Sequence, residues 1–97
     1  MEHATFNAFE KVVDRVTFLD FVATLLADRR DAMEKERLNP SSPYGPDANG
    51  WENTTIDRFL EAALAWARAE VTQRKVFCEE PGWKAFANFL MAGKSYE

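Results

Sequence analysis

Trp51-Glu52-Asn53-Thr54-Thr55-Ile56-Asp57-Arg58-Phe59-Leu60-Glu61-Ala62-Ala63-Leu64-Ala65-Trp66 is the stretch on which the fold turns. Asn53 or Thr54 can cap a helix, and Asp57, three residues after Thr54, makes a capping-box-like pair with it. Ile56, Phe59, Leu60, Ala63, Leu64, Ala67 and Val71 then recur at steps of three and four, which is one apolar stripe along a helix. Ala62, Trp66 and Ala69 widen it. Alanine is the best helix former and leaves a low surface that neighbours can approach closely. Arg58, Glu61, Arg68, Glu70 and Arg74 take the polar side, with Glu70 and Arg74 in the favoured order four apart. The pattern predicts a helix from Thr55 to Lys75, with Trp51 stapled onto its first turn.

Before this helix lies Asn39 to Gly50, which holds three of the four prolines and two of the four glycines. Such a run predicts a loop with no regular element. It is long for a helix connection, but lengthening a loop costs little, about 0.6 kcal/mol per doubling. A second helix is predicted over Phe18–Leu38, opened by Thr17 with Asp20 as a capping pair and stopped before Pro40. Its inward stripe reads Phe18, Val22, Leu25, the stem of Arg29, and Met33, widened by Phe21 and Leu26. From Asp28 to Arg37 it is almost all charge, as a solvated helix end would be. Further back, Phe6, Phe9, Val12, Val13 and Val16 make a short helical stripe within residues 3–16. The β-branched valines leave a strand as the competing reading.

After the central helix, Val76 to Glu80 reads as a connector. Pro81 suits the first position of a last helix, and Glu79 and Glu80 suit its positive end. Trp83, Phe86, Ala87 and Leu90 form the inward stripe. Gly93 reads as a left-handed C-cap and Lys94 as a cation at the negative end. These elements predict an all-α fold: a compact bundle of three to four helices with one long Pro-rich loop, in a single domain over residues 1–97. The second and third helices are expected to pack antiparallel across the loop, with the last helix lying over both.

The chain of 97 residues is 46% hydrophobic and 29% charged, a globular composition with one core. Its net charge of −4 argues against a general nucleic-acid binder, which needs a basic face. One cysteine, Cys78, allows no internal disulfide and fits a reducing compartment. The sequence has no apolar run of membrane-spanning length and no signal-peptide pattern at Met1–Thr5, so the expected location is the cytoplasm.

Catalytic constellations are hard to assemble. His3 is a lone histidine without ligand spacing around it. Acidic neighbours make Cys78 a poor nucleophile and favour a buried structural thiol. Gly45 and Gly50 lack a phosphate-loop motif. Glu52, Asp57 and Glu61 could be imagined as a carboxylate site, but each has a capping or surface-pairing role that explains it. No catalytic, cofactor or metal residue is therefore assigned, and the chain is read as a non-enzyme.

Binding is the remaining class. Trp66 and Trp83 sit on or beside apolar stripes and read as core. Tyr44, at the loop tip, has no core role and is a partner-contact candidate. Residues 1–53 carry ten acids and six bases, whereas residues 54–97 carry six of each. Asp28, Asp31 and Glu34 on the charged end of the second helix are thus the acidic candidates for meeting a basic partner.

The run Trp51-Glu52-Asn53-x-Thr55-Ile56-x-x-Phe59-Leu60-Glu61-Ala62, ending in Trp66, resembles the signature of a family of small, functionally uncharacterised bacterial proteins. Phe18-Leu19-Asp20-Phe21, Pro81-Gly82-Trp83 and Tyr96-Glu97 extend the resemblance over nearly the whole chain. It implies a small helical domain and supplies no settled activity. By analogy of size and charge alone, toxin-neutralising immunity proteins are the expected class, with a basic toxin as partner. The alternative is a housekeeping or regulatory interaction domain that forms a homodimer through a spare apolar stripe.

Overall fold

Among the described residues the chain forms four helices: α1 over Glu2–Glu10, α2 over Arg15–Leu38, α3 over Ile56–Gln73 and α4 over Trp83–Ser95. A single 3-10 turn, Ala48–Gly50, interrupts the long loop. The structure, a computed structural model, describes residues 2–73 and 82–97, with side chains at 3–69 and 82–97. The expectations for Val71, the Glu70–Arg74 pair, Cys78 and the Pro81 start lie outside the described residues. The fold is the all-α bundle with one long Pro-rich loop that the sequence predicts.

The first segment is helix, and it is shorter than its valines imply. Its chain turns after Glu10, where Val12 N–H donates to Phe9 O at 3.2 Å. Val12 drops into the core, while Val13 and Val16 face solvent. The start of α2 lies one turn earlier than expected. Asp14, in extended backbone, accepts from Thr17 N–H at 2.8 Å, and Thr17 Oγ1 accepts from Asp14 N–H at 3.0 Å. Thr17 is therefore the third helical residue of a reciprocal capping box, not its first member. Asp and Thr fit either position, so spacing alone did not separate the two registers.

The buried side of α2 is Phe21, Leu25, Asp28 and Ala32. That is a rotation away from the predicted stripe, and it leaves Leu26 and Met33 about half exposed. An aspartate on the core side explains the error, because apolarity cannot point to it. Packing also differs from expectation. α2 packs on α1, α3 packs on α4, and α4 meets α2, while α2 and α3 scarcely touch.

α3 and α4 close tightly because Gly93 has no side chain. A Cβ there would stand 2.6 Å from two Phe59 ring carbons. Gly93 lies inside α4, two residues short of its end, and is not the left-handed cap that its position near the C-terminus implied. The core comprises Val12, Phe21, Leu25, Ala32, Trp51 and Ala87, flanked by Phe9, Phe18, Phe59 and Leu90. Among the described residues no helix is long and apolar enough to cross a membrane.

Candidate functional site

Two neighbouring features are built where α2, the loop and α4 meet: a buried polar cluster, and an apolar trough beside it. Asp28 is the centre of the first. Its carboxylate is fully buried and receives Lys94 Nζ at 2.6 Å, Trp51 Nε1 at 3.2 Å and Asn49 Nδ2 at 2.9 Å. Both carboxylate oxygens that the interior hides from water thus have a donor. Lys94 is equally enclosed, so it does more than neutralise the helix end it was assigned to. Its ammonium and the Arg29 guanidinium both stand 5.3 Å from the Trp51 ring centre. Trp51 also stacks on Phe59 in the first turn of α3, as the staple reading requires.

The loop is tied to α2 by acids of α2. Glu36 accepts from Ser41 N–H at 2.8 Å and from Ala48 N–H at 2.7 Å. The Ser41 hydroxyl and these amides hold the Glu36 carboxyl below the usual carboxylate range. Asn49 takes the left-handed backbone at φ 61°, and Gly50 follows at φ 78°. Asn49 Nδ2 bridges Asp28 and Asp31, and its Oδ1 accepts from Lys35 Nζ at 2.8 Å. Arg29 Nη1 lies 3.5 Å from Asp47 Oδ2, a Coulombic contact without hydrogen-bond geometry.

Asn53 does something the sequence reading missed. It does not cap α3; Thr55 does, accepting Arg58 N–H on its hydroxyl at 3.4 Å. Asn53 Nδ2 instead donates to Gly93 O and Tyr96 O, both at 3.0 Å. The backbone N–H groups of Glu52 and Asn53 both donate to Lys94 O at 3.2 Å. The Trp51-Glu52-Asn53 run is thereby a C-terminal cap for α4, supplied from the far side of the chain. Only the fold brings residue 53 beside residue 93, so local spacing held no signal for it.

Of the predicted partner residues, Asp28 and Asp31 meet at Asn49, while Glu34 pairs with Arg37. Asp28 is withdrawn into the core and cannot be a surface acid, which corrects its assignment. Asp31 pairs with Lys35 at 2.8 Å and Asn49, and its carboxyl is held low by them, Asn49 foremost. Glu34 is exposed and paired with Arg37 at 2.6 Å. Tyr44 is 97% exposed in the loop. His3 is exposed on α1. Burial, then a hydrogen bond with Glu97, pushes the Glu52 carboxyl up. Asp57 is held low, chiefly by the Thr55 hydroxyl. Among the described residues no group of three or more His, Cys, Asp or Glu side chains could hold a metal ion.

The trough is the second feature. Because α2 and α3 scarcely touch, they leave a cleft of about 330 Å³ between them. Val22, Leu25 and Leu26 wall one side, and Ile56, Phe59 and Leu60 the other. Leu90 and Trp51 also line it, with Arg29 and Thr54 among its polar members. Its lining is unusually apolar for a surface: Ile56 is 81% exposed, and Leu26 and Leu60 are each about half exposed, as is Leu64 one turn further along α3. The stripe read from the sequence as wholly inward is thus split. Ala63 and Ala67 face the core, while Ile56, Leu60 and Leu64 do not.

Residues 14–97 match the model of a family of unknown function, DUF7660, and the chain belongs to that family. The match opens at Asp14, the cap of α2, and takes in the polar cluster and both walls of the trough. No curated protein and no solved structure matches the chain.

Proposed function

We propose that this member of a family of unknown function is a non-enzymatic protein-interaction domain that seats an amphipathic helix in the trough between α2 and α3. One observation carries the reading: Leu26, Ile56 and Leu60, which line a preformed cleft, stand exposed, and Leu64 is exposed one turn further along α3. A missing helix between two helices over a common floor is the geometry of helix-in-groove recognition. The buried polar cluster supports it by fixing the floor. Asp28 and Lys94 hold Trp51 in place, and Trp51 holds Phe59.

The acidic-face version, in which a basic toxin is neutralised, has less support. Its strongest member, Asp28, is in the interior, and Asp31 and Glu34 are spent on Lys35 and Arg37. The bacterial setting implied by the Trp51–Ala62 resemblance, and the cytoplasmic location expected from the sequence, belong to this reading as its expected context.

Photo-crosslinking from inside the producing cell tests it. A benzophenone side chain at Leu60 or Leu26 is expected to give a discrete protein adduct, while one at exposed Asn7 on α1 gives none. Absence of any protein adduct at positions 26 and 60 overturns the trough as a binding surface.

A further inference from the structure

We infer that the helix seated in the trough is α3 of a second copy of this chain, so that the protein is a two-fold dimer. The inference rests on the trough being a protein-binding surface, and it names the occupant.

α3 carries both halves of such an interface. Ile56, Leu60 and Leu64 follow one another at i, i+4 and i+8 and are exposed, which is the apolar row a groove-binding helix presents. The same Ile56 and Leu60 wall the trough. A ridge and a cleft side by side on one surface are what an isologous interface needs, since each copy must offer both.

Charge then selects the direction. At about 100° per residue, Asp57 and Arg68 lie within about 20° of each other, roughly 60–80° round the helix from Leu60. Both therefore flank the apolar row on its solvent side, near opposite ends of it. A parallel pairing in register sets Asp57 against Asp57 and Arg68 against Arg68. An antiparallel pairing, with the axis level with Ala62 and Ala63, sets Leu60 against the second copy's Leu64. It also sets Asp57 against the second copy's Arg68, twice per dimer. Arg58 already acts on the Asp57 carboxyl within each copy, and its side chain borders a different hollow, formed with Glu61, Ala62, Ala65 and Tyr96.

Sedimentation equilibrium of the purified full chain tests this. The expected mass is twice the 11.1 kDa of the chain. Leu60→Lys is expected to weaken association roughly 30-fold or more, as at a hot-spot position. Leu60 is half exposed, so the helical circular dichroism of this variant should be kept. Arg68→Asp is expected to weaken the dimer and Asp57→Arg with Arg68→Asp to restore it. A monomer at every accessible concentration, or a dimer indifferent to Leu60→Lys, overturns the inference. Failure of the double reversal to restore association overturns the antiparallel register. If the chain is monomeric yet crosslinks from position 60 to a different protein, only the second-copy occupant fails and the interaction domain stands.

Discussion

Lys94 Nζ stands 2.6 Å from Asp28 Oδ2 with the two side chains 9% and 0% exposed, so α4 and α2 are joined by an ion pair shut away from water. Removing one partner of such a pair strands a buried charge and typically costs roughly 3–5 kcal/mol, a large share of a domain's ~5–15 kcal/mol. Lys94→Met is expected to lose that much, read as a lower urea midpoint at unchanged slope. Asp28→Asn with Lys94→Met removes both charges and leaves an acceptor for Trp51 Nε1, so it should recover most of the loss. Equal destabilisation in the single and double variants would show that the charges are not the linkage.

Gly93 and Phe59 make the second test. A methyl at position 93 meets ring atoms at 2.6–2.8 Å. The ring also stacks on Trp51, so withdrawing it from position 93 disturbs that contact. Overpacking of this kind costs about 1–3 kcal/mol, against which alanine's helix preference returns about 1. Gly93→Ala is therefore expected to be destabilising by about 1 kcal/mol, and less so on a Phe59→Leu background. A double-mutant cycle by thermal melting measures the coupling, and additive effects would show that Phe59 is not the obstacle.

These two contacts explain how far the sequence could be read. Helix existence was legible because the apolar periods of α3 and α4 are strong; that of α2 is weak, diluted by the charges from Asp28 to Arg37. Rotation of α2 was not, because Asp28 is a core residue through distant partners: Asn49, Trp51 and, sixty-six positions away, Lys94. Gly93 looked like a terminator because it stands near a helix end; its actual constraint is a ring on another helix. Asn53 is the same case, a plausible local cap whose acceptors lie forty residues downstream. The trough had only a partial signal. Ile56, Leu60 and Leu64 were legible as an apolar row. Their exposure depends on α2 and α3 standing apart, which no spacing records.

Carboxylates predict a two-sided pH response. Asp14, Asp31, Glu36 and Asp57 are held below the usual range, in each case chiefly by hydrogen bonds to the ionised form. For such groups the stabilisation is full above the unfolded value, about 3.9–4.3, and is lost as pH falls through the lower folded value. Glu52 has the opposite sign: burial and Glu97 raise it. Its contribution is full below the unfolded value and is lost as pH rises through the raised folded value. Glu52→Gln should therefore melt higher than the parent at neutral pH and leave the acid limb unchanged. A melting-temperature profile across acid and neutral pH checks both limbs; an unchanged neutral limb in Glu52→Gln would refute the second.

Asn49 sets backbone freedom against hydrogen bonding, and the outcome can be ranked. Its φ of 61° is a conformation that glycine adopts at no steric cost, so Asn49→Gly relieves whatever strain asparagine carries there. The same substitution removes the Nδ2 donor at 2.9 Å from both Asp28 and Asp31, and the acceptor for Lys35 Nζ. Leaving a buried acceptor short of a donor costs about 1–3 kcal/mol, more than the relief, because asparagine tolerates the left-handed region well. Asn49→Asp keeps that tolerance but sets a third carboxylate against Asp28 and Asp31, where like charges repel. The expected order of melting temperatures is Asn49, then Gly, then Asp. Glycine equal to or above asparagine would mean that the turn needs only its backbone conformation and that the side chain does not bind the loop to α2.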